Sequence, residues 1–434
     1  MRAIRIRKSV YGVLMGNVVA RVAALSCTFA ATLVLARDGG PALVGTYALL
    51  HVLPGLVGTL LSCGLPVAVP YFLAGRNGHE RPLATTIVAL AVGGGMLGAL
   101  LWTAVAPLVG PSLFPNLSVG LVMLAGLAVL TRTITVTAKA SSQGSDDLRG
   151  SNRVIFAEEF LFLPAYALLW AVGIQSQAAV IVALLLADAT ASSLGWGRLI
   201  RRGFFHDAAP PSLSLMRRIA AYGTRAQVGG IMTQLNLRLD FVLLGVMTNP
   251  AVLGVYAVAS KFAELVRIVS MAFTYVLYPR FSKAAPVDAA AQARRILPRA
   301  GLFVAGAIVP LWLAVGIVIP SIYGSKFDGA TVPARIILLG LALEGVVGVV
   351  TAFLYGVGRP GLTSIAMGAG LVATVTLDII LIPRFGATGA AVASAIAYLT
   401  TALALLAFFR RVERAPVPVA GAWTDARLSS ADAG

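Results

Sequence analysis

Pro41-Ala-Leu-Val-Gly-Thr-Tyr-Ala-Leu49 returns 209 residues later as Pro250-Ala-Val-Leu-Gly-Val-Tyr-Ala-Val258. Five positions are identical, and the rest are aliphatic exchanges apart from Thr46 against Val255. Upstream, Tyr11-Gly12 returns as Tyr222-Gly223, at an offset of 211. Each match falls near the start of the first apolar stretch, or the entry to the second, of its half. Two halves with the same order and orientation form a parallel repeat, related by an axis along the membrane normal. The expected division is an N-terminal six-helix lobe over 1–205, a cytoplasmic linker over 206–218, a C-terminal six-helix lobe over 219–410 and a disordered cytoplasmic tail over 411–434.

Composition says what the helices are embedded in. Of 434 residues, 58% are hydrophobic and 12% charged, with mean hydropathy +0.88. A soluble chain carries about 25% charged residues, so too little polar surface remains to cover two or three soluble domains. A membrane-spanning helix needs ~20 apolar residues. Hydropathy predicts twelve spans: 10–36, 43–73, 83–108, 117–139, 154–173, 178–198, 219–246, 252–278, 300–320, 332–355, 361–383 and 388–409. The second is long enough to be tilted, broken or extended. The first resembles a signal peptide, but it is too long and holds Arg21 near its centre, so it reads as an uncleaved span. The fold class expected is an all-α membrane protein with twelve helices in two pseudo-twofold lobes.

The net charge of +17 is a topology signal. One set of connections carries 24 cations; the alternate set carries three, Arg37, Lys326 and Arg384. The positive-inside rule then puts both termini in the cytoplasm. The opposite loops run to about a dozen residues, which leaves no room for an external catalytic domain. A nucleic-acid partner is excluded, because the basic excess sits in connections of an oily chain.

Catalytic and metal signals are absent. Cys27 and Cys63 lie in apolar runs and read as small buried hydrophobes. No Cys/His spacing suits zinc, and there is no Walker A loop, G-x-S-x-G or Rossmann fingerprint. His79 and His206 fall in polar connections. His51 lies in an apolar run, as a buried polar contact or a proton carrier. Gly93-Gly94-Gly95 reads as close helix packing.

Fourteen ionisable residues fall inside the spans, seven of each sign. Each costs several kcal/mol in hydrocarbon unless paired or wetted, roughly 2.5–3.5 kcal/mol on translocon scales. Arg132, Arg225, Glu158, Glu159 and Arg335 stand near predicted span ends and read as snorkelling groups. The central ones are different. Arg21 has Asn17 four residues earlier on the same face. Gln227, Gln234 and Arg238 share one face of the seventh span, with Asp240 on an adjoining stripe. Lys261, Glu264 and Arg267 recur every three residues in the eighth, either as a self-satisfied ladder or as the wall of a wet cavity. Subtracting 209 from these three lands on Val52, Gly55 and Gly58, so the halves are expected to be chemically unequal. Guanidinium binds phosphate bidentately and Lys binds it as a point charge. Arg21, Arg238, Lys261 and Arg267, with Asn17 and Gln234, therefore form the candidate diphosphate site. Asp240, Glu264, Glu344, Asp378 and Asp188 are either pairing partners or sites for H⁺ or Na⁺ coupling.

Further fragments carry a family likeness. They are Gly45-Thr-Tyr-Ala-Leu-Leu, Leu237-Arg-Leu-Asp240-Phe-Val-Leu-Leu-Gly245, Tyr278-Pro-Arg-Phe-Ser282, Ile322-Tyr-Gly-Ser-Lys-Phe327, Gly356-Val-Gly-Arg-Pro360 and Ile382-Pro-Arg-Phe-Gly386-Ala-Thr-Gly389. In this order and spacing the chain resembles the lipid-linked oligosaccharide flippase branch of the multidrug/oligosaccharidyl-lipid/polysaccharide exporter superfamily. The resemblance implies a two-lobed bacterial inner-membrane protein without a cofactor. It would pass an undecaprenyl-diphosphate-linked glycan to the outer leaflet by alternating access, for O-antigen or exopolysaccharide synthesis. The bilayer is its surroundings, and a polysaccharide polymerase and chain-length proteins are candidate partners. Alternatives are a drug/cation antiporter of the same superfamily, which favours an acidic aromatic cavity, a membrane glycan polymerase or ligase, and a non-transporting scaffold.

Overall fold

A computed structural model describes the backbone of residues 2–74, 80–115, 117–174 and 176–414, with side chains from residue 16 except Ser176. Expectations for Arg76, His79, the Tyr11 side chain and the tail from 415 lie outside the described residues. Residues 411–414, expected in that tail, form the last turn of a helix.

The described residues are helical with no strand. In order they form α1 (Arg2–Leu61), α2 (Leu65–Ala74), α3 (Leu83–Leu113), α4 (Val119–Leu124), α5 (Leu127–Gly144), α6 (Leu148–Phe160), α7 (Phe162–Ala171) and α8 (Ser176–Arg201). These are followed by α9 (Leu213–Met247), α10 (Pro250–Phe281), α11 (Pro286–Tyr323), α12 (Thr331–Gly340), α13 (Glu344–Gly356) and α14 (Pro360–Arg414). Nine described stretches are long and apolar enough to cross a membrane. Two contain a break: Gly40 in α1 (φ 67°) and Gly386 in α14 (φ 53°) adopt positive φ that side chains rarely tolerate. α10 is left out of the nine, and it carries Lys261, Glu264 and Arg267. Dividing the broken helices and adding α10 yields twelve candidate spans. The long second span is indeed broken, by a turn through Cys63 and Gly64 that separates α1 from α2.

The repeat is visible in the packing. Asn249 caps α10 by accepting from the Val252 amide at 3.0 Å, and Pro250 takes the first turn, where a missing N–H costs nothing. Gly40 and Pro41 occupy the equivalent places in α1. The two copies then cross each other. A Cβ on Gly45 would strike the Pro250 carbonyl, and a Cβ on Gly254 would strike the Pro41 carbonyl. Reciprocal contact is what a twofold relation between two patches requires. Small residues let backbones meet here, where lipid supplies no hydrophobic drive.

This crossing seals one end of the seam between halves, and the Thr32–Tyr323 hydroxyl contact (2.9 Å) also joins them. At the other end, α2 lies on the start of α9. Tyr71 stacks on Tyr222 at 4.2 Å, Arg218 grips Glu80 at 3.1 Å, and Gln227 donates to the Thr59 carbonyl at 2.9 Å. Leu108 (81% exposed), Leu302 (76%) and Ile317 (71%) cover the outside, as lipid contact demands. The chain is a multi-pass membrane protein.

Candidate functional site

The two halves line an open cavity of about 590 Å³. α1 brings Arg21, Thr28 and His51 to it. α5 brings Lys139 and Gln143, and α6 brings Glu158 and Glu159. Gln234, Arg238 and Asp240 come from α9; Tyr256, Lys261, Glu264 and Arg267 from α10; Tyr398 from α14. All four cations expected from the sequence therefore line one space. Asn17 stands behind the first: Arg21 Nε donates to Asn17 Oδ1 at 2.9 Å, and Asn17 Nδ2 donates to Asn152 Oδ1 at 2.8 Å. The i, i+4 spacing thus fixes the guanidinium and ties α1 to α6.

The four cations are not equivalent. Glu264 bridges two of them, Arg238 Nη2 at 3.1 Å and Lys261 Nζ at 3.6 Å. The ladder anticipated within α10 is therefore built across α9 and α10, and Arg267 is left out of it. Arg267 lies over the Tyr398 ring at 4.5 Å, a cation–π contact that keeps the charge without neutralising it. Among the described residues, Arg21 and Arg267 are the lining cations with no carboxylate oxygen within 4.0 Å.

The N-terminal half carries charge that the sequence reading assigned elsewhere. Lys139, expected in a cytoplasmic connection, donates to Glu158 Oε2 at 2.6 Å. Arg132, Glu158 and Glu159, expected to snorkel, face inward instead. Arg132 Nε meets Asp188 Oδ2 at 3.2 Å, and its Nη2 donates to His51 Nδ1 at 2.9 Å. Glu159 accepts from Thr28 Oγ1 at 2.9 Å and stands 3.6 Å from His51 Nε2. The eighth span has no charged counterpart in the second, as expected, but α5, α6 and α8 supply an ion network of their own. Arg225 is exposed on α9, and Arg335 stacks on Trp312 at 4.6 Å.

The acidic candidates divide by partner. Asp188 and Glu264 are paired with cations. Asp240 accepts from the Tyr256 hydroxyl, from Ser394 Oγ at 3.3 Å and from the Phe241 amide at 2.9 Å. Glu344 faces Ser270 and Arg267 outside the cavity lining. Asp378 is fully buried with neither carboxylate oxygen hydrogen-bonded, one turn beyond Thr374, which reaches Asn236 at 3.3 Å.

A family described as polysaccharide biosynthesis protein matches residues 34–332. The chain belongs to this family. The probable low-salt glycan biosynthesis flippase Agl15 of Haloferax volcanii is 23% identical to the chain over 192 residues. That match spans 43% of this chain and 41% of the relative. The fold matches the solved structure titled lipid II flippase MurJ, inward closed conformation, with TM-score 0.71, 14% identity, and 92% and 89% of the two chains covered. It also matches an inward-facing multidrug resistance transporter of the MOP superfamily, with TM-score 0.68, 15% identity, and 91% and 98% covered. This polysaccharide biosynthesis protein thus has the fold of that superfamily's transporters, as the resemblance implied.

Proposed function

We propose that the protein moves a lipid-linked glycan diphosphate, of the undecaprenyl type, from the cytoplasmic to the outer leaflet by alternating access. One observation carries this reading. Two guanidinium groups, Arg21 and Arg267, face one shared cavity with no carboxylate oxygen within 4.0 Å, and guanidinium prefers phosphate. Family membership and the flippase likeness support it. In this scheme the lobes meet through the 206–218 linker, both termini are cytoplasmic in a bacterial inner membrane, and the glycan serves surface polysaccharide assembly. A polymerase and chain-length proteins would act after it. An anionic headgroup leaving an inside-negative cell gains about 2.3 kcal/mol per charge per 100 mV, so outward movement runs down the potential. Asp378, buried and unbonded on the helix that packs against Asp240's helix, is the candidate H⁺ or Na⁺ coupling site with Asp240.

One observation favours drug/cation antiport: four carboxylates, Glu158, Glu159, Asp240 and Glu264, share the lining with five cations. Three of the four are already held by a cation or by Tyr256, which leaves little for a cationic drug. Reconstitution into proteoliposomes with a fluorescent short-chain polyprenyl-diphosphate sugar tests the choice. The Arg21→Ala/Arg267→Ala double variant should lose at least tenfold in flipping rate. Undiminished flipping by that variant, or pH-driven uptake of a cationic dye without flipping, would overturn the proposal.

A further inference from the structure

Arg335 stands apart from the cavity. It lies on α12, outside the cavity lining. Among the described residues no carboxylate oxygen comes within 4.0 Å of it. α12 packs on α11, and the two helices turn an apolar face outward around this arginine. Val332 and Leu339, about one turn to either side of Arg335 on α12, are more than half exposed. So are Leu313 and Ile317 on α11. The groove between the helices therefore opens to hydrocarbon.

A free arginine at such a place carries its charge up to the headgroups. Arg335 is tethered instead. Its Nε donates to the Trp312 carbonyl at 3.3 Å, and its guanidinium lies over the Trp312 ring at 4.6 Å. Gly316, one turn further along α11, leaves the notch that holds the group: a Cβ there would come within 2.5 Å of Nη2. The guanidinium is thus level with Gly316, seven residues or about 10 Å short of the end of α11 at Tyr323. Of its N–H groups, the one on Nε is used, and neither Nη has a protein acceptor among the described residues. The ring contact keeps the charge without neutralising it. A cation in hydrocarbon needs a counter-charge or water. Since this guanidinium does not rise to the headgroups, a headgroup must come to it.

We infer that Arg335 and Trp312 form a site for the phosphate of a bilayer phospholipid, drawn below its usual level in one leaflet. That leaflet is the one on the side of the Gly45–Gly254 crossing, because Lys326, just past the end of α11, lies beside Gly40. The Nη groups present a fork that matches two phosphate oxygens. The surroundings select the source. A free phosphate would have to pass the apolar flanks of the groove, whereas a lipid lays its acyl chains along them. The diphosphate proposed above is drawn to Arg21 and Arg267 inside the cavity, and Arg335 is outside it. The lipid site therefore stands or falls independently of the transport reading.

The experiment labels the full-length protein with 5-fluorotryptophan and assigns the Trp312 ¹⁹F resonance through Trp312→Phe. The protein is placed in phosphatidylcholine bicelles containing a small share of phosphatidylcholine spin-labelled at the headgroup. A headgroup seated at Arg335 brings the spin label close to the Trp312 ring and broadens its resonance. Arg335→Gln should reduce that broadening by at least about twofold, because the charge-assisted phosphate contact is lost. Arg335→Lys, which keeps the charge and loses the fork, is the second variant if Arg335→Gln folds poorly, and should also reduce it. Unlabelled phosphatidylglycerol should displace the label from the wild type, and millimolar inorganic phosphate should not. Equal broadening in the wild type and both variants overturns the site. Displacement by inorganic phosphate, or by a short-chain polyprenyl diphosphate but not by phosphatidylglycerol, overturns the assignment to bilayer phospholipid.

Discussion

Replacing Glu264 with Gln keeps the shape of the α9–α10 bridge and removes its charge. Arg238 at 3.1 Å and Lys261 at 3.6 Å then lose their carboxylate. At an effective dielectric near 20, each contact has a gross Coulomb energy of about 5 kcal/mol. Desolvation offsets most of that, and removing one partner of a buried pair costs about 3–5 kcal/mol. Glu264 is 24% exposed to the cavity, so a loss of ~2–3 kcal/mol in stability is expected. The effect on an anionic ligand has the opposite sign. Two more cations are freed, and one negative charge in the same cavity is gone. Even at a wet-site dielectric near 40 and a ligand charge placed roughly 7 Å away, that is worth about 1 kcal/mol per ligand charge, or about fivefold in affinity. The paired assay is thermal unfolding followed by Trp fluorescence, and binding of a short-chain polyprenyl diphosphate. A lower melting temperature with tighter binding is expected. Weaker binding with an unchanged melting temperature would refute the role given to Glu264.

Gly45→Ala should weaken the α1–α10 crossing by about 1–3 kcal/mol, the usual cost of overpacking. Cysteines placed in the cavity should then become more reactive to impermeant reagents added outside; unchanged labelling would remove the crossing as the seal. Asp147, in the α5–α6 connection, caps α6 at Gly150 and binds Arg198 at 2.5 Å and Arg202 at 2.8 Å. The Arg198 hydrogen bond holds its pKa down at about 2. A depressed carboxylate pKa contributes stability above the unfolded value near 3.9 and loses it as pH falls toward 2. Arg198 and Arg202 are 33% and 49% exposed, so screening limits the contribution to roughly 1 kcal/mol. Asp147→Asn should melt lower than the wild type at pH 7, and the gap should close below about pH 3; a pH-independent gap would contradict the assignment.

The repeat and the apolar runs carried the architecture. The duplicated Pro-Ala-x-x-Gly-x-Tyr-Ala segment even lies at the place where the halves touch, because a twofold axis brings equivalent backbones together and small residues let them approach. Hydropathy placed α10 as the span 252–278 despite its three charges, which face the cavity and so escape the penalty that hydropathy assigns to lipid contact. The four cations were found for the same reason: a charge in mid-span needs a wet or paired place. The N-terminal network was missed through its boundaries. α5 runs to Gly144, five residues past its expected end, and α6 starts at Leu148, six before its expected start. Glu158 and Glu159 are therefore ten or more residues past the start of the helix, too deep to snorkel to that end. His51 also needed three dimensions, since its partner Arg132 lies 81 residues away.

The +17 of the whole chain says nothing about the cavity, whose lining holds five cations and four carboxylates. Near-balance has a physical reason. Charges in a low-dielectric interior persist only with partners. A carrier must also release what it binds, and differential affinity between its states is all it can use. A diphosphate facing four free guanidinium and ammonium groups would bind tightly in either state and leave slowly. With Arg238 and Lys261 held by Glu264 and Lys139 by Glu158, Arg21 and Arg267 are the lining cations left to meet it without a carboxylate in ion-pair contact. Turnover should therefore peak at the native balance. Glu264→Gln should raise affinity and lower flipping rate, and Arg21→Ala should lower both. The double variant restores the count of uncompensated charge more closely than Glu264→Gln does, and should flip faster than that single variant. A double variant slower than both singles would show that Arg21 and Glu264 act independently, and that charge balance does not set the rate.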